Sequence, residues 1–319
     1  MPARSRKSEA TATRGGNENA DESGAPAKKK SRSGARKKKP TTGGEALKNR
    51  NENASVQNAS VSGDGDEDAD EGSGDLFDLL RVENAATILH ASDWRARYNA
   101  SEISAVAEIY SLLSKAAGCS SGVTAIELQR SDCLMIMNRV VEDMAAGNLY
   151  GDDPLAKRSR DFKGFRENFL DFIDKCIRDA SEGGELYDGT LFATLAEIVS
   201  TCAGSKARPL RMAATMMGLQ MISSLITVVN NLQKARDLKQ NQVDIELKKK
   251  KSGGEVVKSL KRQIESAQEH IELVEGYMND IFTHVFTHRF RDCDENIRAA
   301  CMTALGTVSY THLTLPTKA

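Results

Sequence analysis

The stretch KSGGEVVKSLKRQIESAQEHIELVEGYM, residues 251–278, decides the fold. Lys251-Ser252-Gly253-Gly254 interrupts the preceding pattern. Beyond it Val257, Leu260, Ile264, Ala267, Ile271, Val274 and Met278 recur at alternating spacings of 3 and 4, the heptad seam of a helix packed lengthwise on another. Upstream, Ser205 and Pro209 open a longer element. Proline suits a first helical turn because its missing N–H would be unpaired there. Met212, Met216, Leu219, Ile222, Leu225, Ile226 and Val229 continue this element, and Leu232, Leu238 and Ile245 carry its apolar face more sparsely. Two long helices joined by a Gly-Gly turn predict an αα-hairpin. Its second arm, about 25 residues, would be roughly 38 Å long.

Toward the N-terminus the same period of 3.6 persists as far as Leu76. Leu76, Leu79 and Leu80, then Ala85, Ile88 and Leu89, make two short apolar faces. Ile103, Val106, Ile109, Tyr110 and Leu113 make a stronger one that stops at Gly118, a C-cap. Ile126, Leu128, Leu134, Met135 and Met137 lead into Val140, Val141 and Met144, ending near Gly147. After a polar loop with Pro154, Phe162, Phe165, Phe169, Phe172 and Ile173 line one helical face, and Leu191, Leu195, Ile198 and Val199 follow. No segment alternates apolar and polar residues for long. The body therefore reads as all-α, a HEAT-like helical-repeat solenoid with a long antiparallel αα-hairpin.

The 319 residues carry a formal net charge of -1 that averages unlike parts. Residues 1–50 hold 14 Lys/Arg against five Asp/Glu, and residues 51–78 hold nine Asp/Glu and no Lys/Arg. Residues 1–75 contain no aromatic residue, too little apolar surface to offset the entropy of ordering, so this tail is expected to be disordered. Lys28, Lys29, Lys30 and Arg36, Lys37, Lys38, Lys39 form two basic runs that fit a nuclear import signal or a phosphate-contacting arm. Residues 62–75 form an acidic, Gly-rich linker. The longest apolar stretch, Met212–Val229, is broken by Thr215, Gln220, Ser223, Ser224 and Thr227, so no membrane span is expected. A secretory signal core is not seen, and the six cysteines show no CxxC pair, so they read as reduced, mostly buried thiols.

No catalytic constellation stands out, and no enzyme activity, cofactor or metal is expected. His284 and His288 share a helical face, which suits a metal, but Val285 stands where a zinc protease has Glu. His288-Arg289-Phe290-Arg291-Asp292 lacks the companions of a kinase catalytic loop. Basic clusters are the stronger lead. Lys157, Arg158, Arg160, Lys163 and Arg166 cross from the loop into the Phe-striped helix, where the N-terminal dipole favours a phosphate. Lys206, Arg208 and Arg211 mark the start of the long helix in the same way, and Lys248–Lys251 lies at the hairpin tip. A solvated helix face is the plain alternative for each cluster.

Six blocks then resemble, in order, the stromal antigen (STAG, stromalin) family of cohesin subunits. Leu76-Phe77 followed by Asp93-Trp94 and Tyr98 is similar to the family's first repeat, and Ala117-Gly118-Cys119 through Gly122-Val123-Thr124 to its next turn. Phe162-Lys163 with Asn168-Phe169 and Phe172 resembles the Phe-rich helix opening the STAG domain. Arg208, Arg211, Ala214-Thr215 and Gly218-Leu219 resemble the helix after it. Ile281-Phe282, Val285-Phe286, His288 through Asp292, and then Ile297-Arg298-Ala299 with Cys301 resemble the start of the stromalin conservative domain.

The resemblance covers about residues 76–307 and implies a non-enzymatic scaffold of the nucleus and chromosome that supports sister-chromatid cohesion. It implies binding to double-stranded DNA and chromatin, to the kleisin subunit and through it the SMC heterodimer, and to cohesin regulators, with no membrane. The family's DNA-facing positions carry over to Lys163, Arg208 and Arg211, with Lys157, Arg158, Arg160, Arg166 and Lys206 added for their charge. The family's kleisin contacts run mostly along later repeats. The alternative is a HEAT-repeat adaptor or nuclear transport scaffold that binds only protein partners. The expected organisation is a disordered arm and linker (1–75), N-terminal repeats (76–150), a STAG domain with the hairpin (151–280) and the start of the stromalin conservative domain (281–307). Residues 308–319 leave the pattern and resemble a translated sequencing-library adapter, so the native reading is expected to end near Thr307.

Overall fold

A computed structural model describes residues 75–156, 159–248 and 254–312, with side chains through 306. The basic arm, nearly all of the acidic linker and residues 313–319 lie outside the described residues. Eleven α-helices and two short irregular turns follow one another among the described residues, with a single isolated bridge between Cys119 and Leu149 and no strand. The all-α solenoid expected from periodicity is what the chain forms.

The N-terminal repeats show how local chemistry sets the helix ends. Asp75 caps α1 (Leu76–Arg81) by accepting from the Phe77 N–H at 3.0 Å. Phe77 then stacks on Tyr150 at 5.0 Å and tilts against Phe165 at 4.9 Å, so α1 is pinned by aromatics from two distant segments. In α2 (Thr87–Ala100) the inward face is Thr87, Ala91, Trp94 and Tyr98. Trp94 donates its indole N–H to the Ala105 carbonyl at 2.8 Å in α3 (Glu102–Ala116). Gly118, at φ 94°, ends α3 as expected. Thr124 and Asp132 cap α4 (Ala125–Arg130) and α5 (Cys133–Ala145) through their side-chain oxygens.

Several apolar positions face outward against expectation. Ile88 and Leu89 are 65% and 64% exposed because α2 turns its larger Trp94 and Tyr98 inward, and one helix cannot present both stripes. Ile126, Leu134 and Met135 are exposed because Asp132 splits the expected single run into two helices with different facing. Ile103 is also exposed at the start of α3.

The second half of the body is built on α6 (Phe165–Gly183), α7 (Leu191–Ala203), α8 (Arg208–Lys248) and α9 (Gly254–Ile281). Phe162, Phe165, Phe169, Phe172 and Ile173 are all buried, as their spacing required. α8 has 41 residues, about 62 Å, and packs along α9 over much of its length. On α9 the predicted seam is present: Val257, Ala267, Ile271, Val274 and Met278 are buried, and Leu260 and Ile264 are half-buried. On the far half of α8 the seam runs through Leu232, Arg236, Lys239, Val243 and Glu246, leaving Leu238 and Ile245 exposed. Arg236 donates across the hairpin to Gln268 at 2.8 Å.

The near half of α8 contains the apolar window long enough to cross a membrane, and 78% of it is buried in this fold, as suits the core helix of a packed solenoid. Gly218 sits where α8 closely approaches α7 and α9. A Cβ there would meet Val199 at 3.0 Å and Ile281 at 3.4 Å. α9 passes through a π-helical turn (Phe282–Phe286) and the short α10 (Thr287–Arg289) before α11 (Glu295–His312). Leu219 and Phe286 pack with Cys301 in a small second core there. All six cysteines are free, five buried and Cys293 exposed. Burial pushes the Cys133 and Cys301 thiols up to about 11 and Cys202 up to about 12, so these thiols stay protonated and inert.

Candidate nucleic-acid interface

The loop before α6 is held by Asp152. Its carboxylate accepts from the Ser159 hydroxyl at 2.6 Å and the Arg160 N–H at 2.9 Å. The Ser159 oxygen in turn accepts from the Phe162 N–H at 3.1 Å. Those hydrogen bonds hold the Asp152 carboxyl below the usual carboxylate range. Gly164, at φ 80°, then starts α6 with no side-chain cap. The outcome is a short turn with Phe162 driven inward and Arg160 and Lys163 left on the surface.

Lys163 pairs with Glu83 at 2.8 Å, and both side chains remain largely exposed. Arg81, a residue the sequence reading passed over, joins this turn. Its guanidinium lies 4.7 Å over the Phe162 ring, and its Nε donates to the Asp161 carbonyl at 3.3 Å. Nothing in the local sequence flags Arg81, because the chain brings it there across 80 residues. The inward position of Phe77 was the usable signal, since it carries α1 against the same turn.

The remaining predicted residues divide. Lys157 and Arg158 lie outside the described residues, as do Lys28, Lys29, Lys30, Arg36, Lys37, Lys38 and Lys39. Arg166 lines a groove, where its guanidinium reaches the Leu155 carbonyl at 3.4 Å. Lys206 is exposed. Arg208 pairs with Asp294, which raises its already high pKa through that hydrogen bond.

Arg211 corrects the sequence reading. Its side chain is 9% exposed and gripped by Asp292, with Nε to Oδ2 at 2.7 Å and a second contact at 3.2 Å. It also donates to the Ser205 carbonyl at 3.0 Å. Arg211 ties the start of α8 to the turn before α11 and has no face for a phosphate. Arg289 shares the same carboxylate at 2.8 Å. Burial alone would raise the Asp292 carboxyl, but the Arg211 guanidinium and the Asp294 N–H outweigh it and hold it well below the usual range. The kinase-like string around Asp292 is thus structural. His284 Nδ1 lies 2.8 Å from the Asp280 carbonyl, and no group of metal-ligand side chains gathers among the described residues.

Comparison with known proteins places this arrangement. Residues 151–263 match the STAG domain. The chain is 32% identical over 236 residues to sister-chromatid cohesion protein 3 of Arabidopsis thaliana, covering 74% of this chain and 20% of that one. It is 28% identical over 241 residues to cohesin subunit SA-1 of Xenopus laevis, covering 74% and 19%. The fold is similar to that of cohesin subunit Scc3 from Z. rouxii, with a TM-score of 0.67 at 23% identity over 75% of this chain and 28% of the other. The chain spans about a fifth of the length of the curated relatives named.

Proposed function

We propose, from the premise that this chain belongs to the STAG-domain family of cohesin subunits, that it serves as a non-enzymatic scaffold in sister-chromatid cohesion and contacts double-stranded DNA through the turn before α6. The names of its relatives support the cohesin role. The observation that carries the DNA reading is the pair of exposed cations, Arg160 and Lys163, at the uncapped start of α6. Arg81 flanks them, and Lys206 is a further exposed cation just before α8, whereas Arg208 is held by Asp294. Arg211 is excluded by its burial, and Arg166 by its half-buried position against the Leu155 carbonyl. Binding to kleisin, and through it to the SMC heterodimer and cohesin regulators, together with location on nuclear chromosomes, follows from the family. The basic arm would act as import signal and as a second, sequence-independent DNA contact.

Phosphate contacts show themselves as salt dependence, and the slope falls by about 1 for each phosphate that is no longer neutralised. The test is fluorescence anisotropy of a labelled duplex with the full chain, at several salt concentrations. One variant has Lys28, Lys29, Lys30, Arg36, Lys37, Lys38 and Lys39 replaced by Ala, and a second adds Arg160→Glu and Lys163→Glu. The arm variant should retain salt-sensitive binding that the second variant loses. Equal affinity of the two variants would show that the turn before α6 makes no contact.

A further inference from the structure

We propose that the pocket where α3, α5 and α7 meet takes the arginine side chain of a peptide segment from a partner protein, with apolar residues on either side of that arginine. The pocket, about 280 Å³, is bounded by the start of α3 (Glu102, Ile103, Val106), the α4–α5 junction (Leu128, Asp132) and the first turns of α7 as far as Glu197. None of its lining belongs to the turn before α6. The apolar face of α3 leads into it. Along that face Val106, Ile109, Tyr110 and Leu113 are buried, while Ile103 lines the pocket and is 42% exposed. Leu128 lines it half-buried. Large apolar side chains left open beside a concavity favour an occupant with hydrocarbon of its own.

Every charged group on the lining is a carboxylate. Glu102, Asp132 and Glu197 are exposed, and no Lys, Arg or His lines the pocket with them. Arg130, next in the chain to Ser131, is exposed and stays off the lining. The carboxylates differ in what already holds them. Asp132 caps α5 by accepting from the Met135 N–H at 2.7 Å. Glu102 lies in the first turn of α3, whose dipole offsets part of its charge. Glu197 stands in the middle of α7 and is hydrogen-bonded by the Cys133 thiol. Neither Glu102 nor Glu197 has a cationic partner among the described residues. The negative field reaches the buried neighbours: burial first, then the charges of Glu197 and Asp132, push the Cys133 thiol up to about 11.

The spread of the carboxylates selects the cation. No group of three metal-ligating side chains gathers among the described residues, so these carboxylates do not converge on one ion. A guanidinium presents its donors in a planar fork that can reach more than one carboxylate, which a compact ammonium does not match. Its methylene stem lies along apolar surface while the charge stays at the rim. Duplex DNA is repelled by the same carboxylates. An arginine between apolar neighbours satisfies both parts of the pocket.

The probes are fluorescein-labelled GSLRVSG and the same peptide with citrulline for arginine, which keeps the shape and removes the charge. Each is titrated against the full chain to about 1 mM by fluorescence anisotropy. The arginine peptide should bind saturably and at least about tenfold more tightly than the citrulline peptide. Glu197→Gln should weaken it most, and Glu102→Gln less because the α3 dipole already offsets that charge. The double variant should bring it to the level of the citrulline peptide. Thr194→Arg, which sets a guanidinium of the chain's own at the pocket, should abolish binding. Glu102 and Glu197 are exposed, so an unchanged melting curve shows that the variants fold. Binding that the double variant leaves intact overturns the proposal, since the acidic residues 62–75 would then be holding the peptide. It is equally overturned by equal affinity for the two peptides or by no saturable binding. A concentration-dependent dimer that Thr194→Arg dissolves also overturns it, because a second copy would then be the occupant.

Discussion

The two halves of α8 belong to one unbroken helix but to different environments. From Arg208 to Val229 it packs against α6, α7, α9 and α11, and most of its residues are buried. Beyond Val229 its partner is α9, and Val243 is the one fully buried residue. The difference teaches what a helix's composition records. A helix packed against several neighbours becomes apolar over most of its circumference, to the point of resembling a membrane span. One with a single neighbour keeps one inward residue per turn, and its other apolar side chains stay in water.

The strongest way to break the contrast is to remove the charge pair that anchors the buried half. Asp292→Ala leaves Arg211 buried and unpaired, and breaking such a pair costs about 3–5 kcal/mol, to be read as a lower midpoint in urea unfolding. The same pair sets an acid response. A carboxyl whose folded pKa is depressed contributes stability that is complete above the unfolded value of about 3.9 and is lost as pH falls through the folded value. Wild-type stability should therefore lose this contribution only below about pH 4, and Asp292→Asn should flatten that part of the acid limb.

Leu225→Ala in the buried half should cost about 2–5 kcal/mol. Gly218→Leu, which drives a side chain into Val199 and Ile281, should cost about 1–3 kcal/mol. Leu238→Ala in the far half should change stability by less than about 0.5 kcal/mol. If the two leucine truncations cost the same, the far half has a partner that this arrangement does not show. Amide exchange gives the finest comparison: the far half should exchange faster than the near half, because fewer apolar contacts hold it closed.

Much of this was legible in the sequence. The heptad seam of α9, the Phe face of α6, the stop at Gly118 and the opening of α8 near Pro209 all follow from periodicity and local backbone chemistry. The outward positions of Ile88, Leu134 and Leu238 were not legible. A lone apolar side chain is compatible with several stripes, and the choice depends on which neighbours arrive. The candidate interface was half legible. Arg160 and Lys163 stand where charge and period put them, whereas Arg211 looked the same in sequence and went inside.

The sequence by itself determined the helical period, the stop at Gly118, the opening near Pro209 and the hairpin, because each rests on residues close in the chain. Only the tertiary structure decided which cations remain free. Asp292 reaches Arg211 across 81 residues and Asp294 reaches Arg208 across 86, while Arg166 meets no carboxylate among the described residues. Charge availability depends on who pairs with whom in space, and a buried guanidinium must find a carboxylate or cost several kcal/mol. That pairing separates structural arginines from those left to bind a partner.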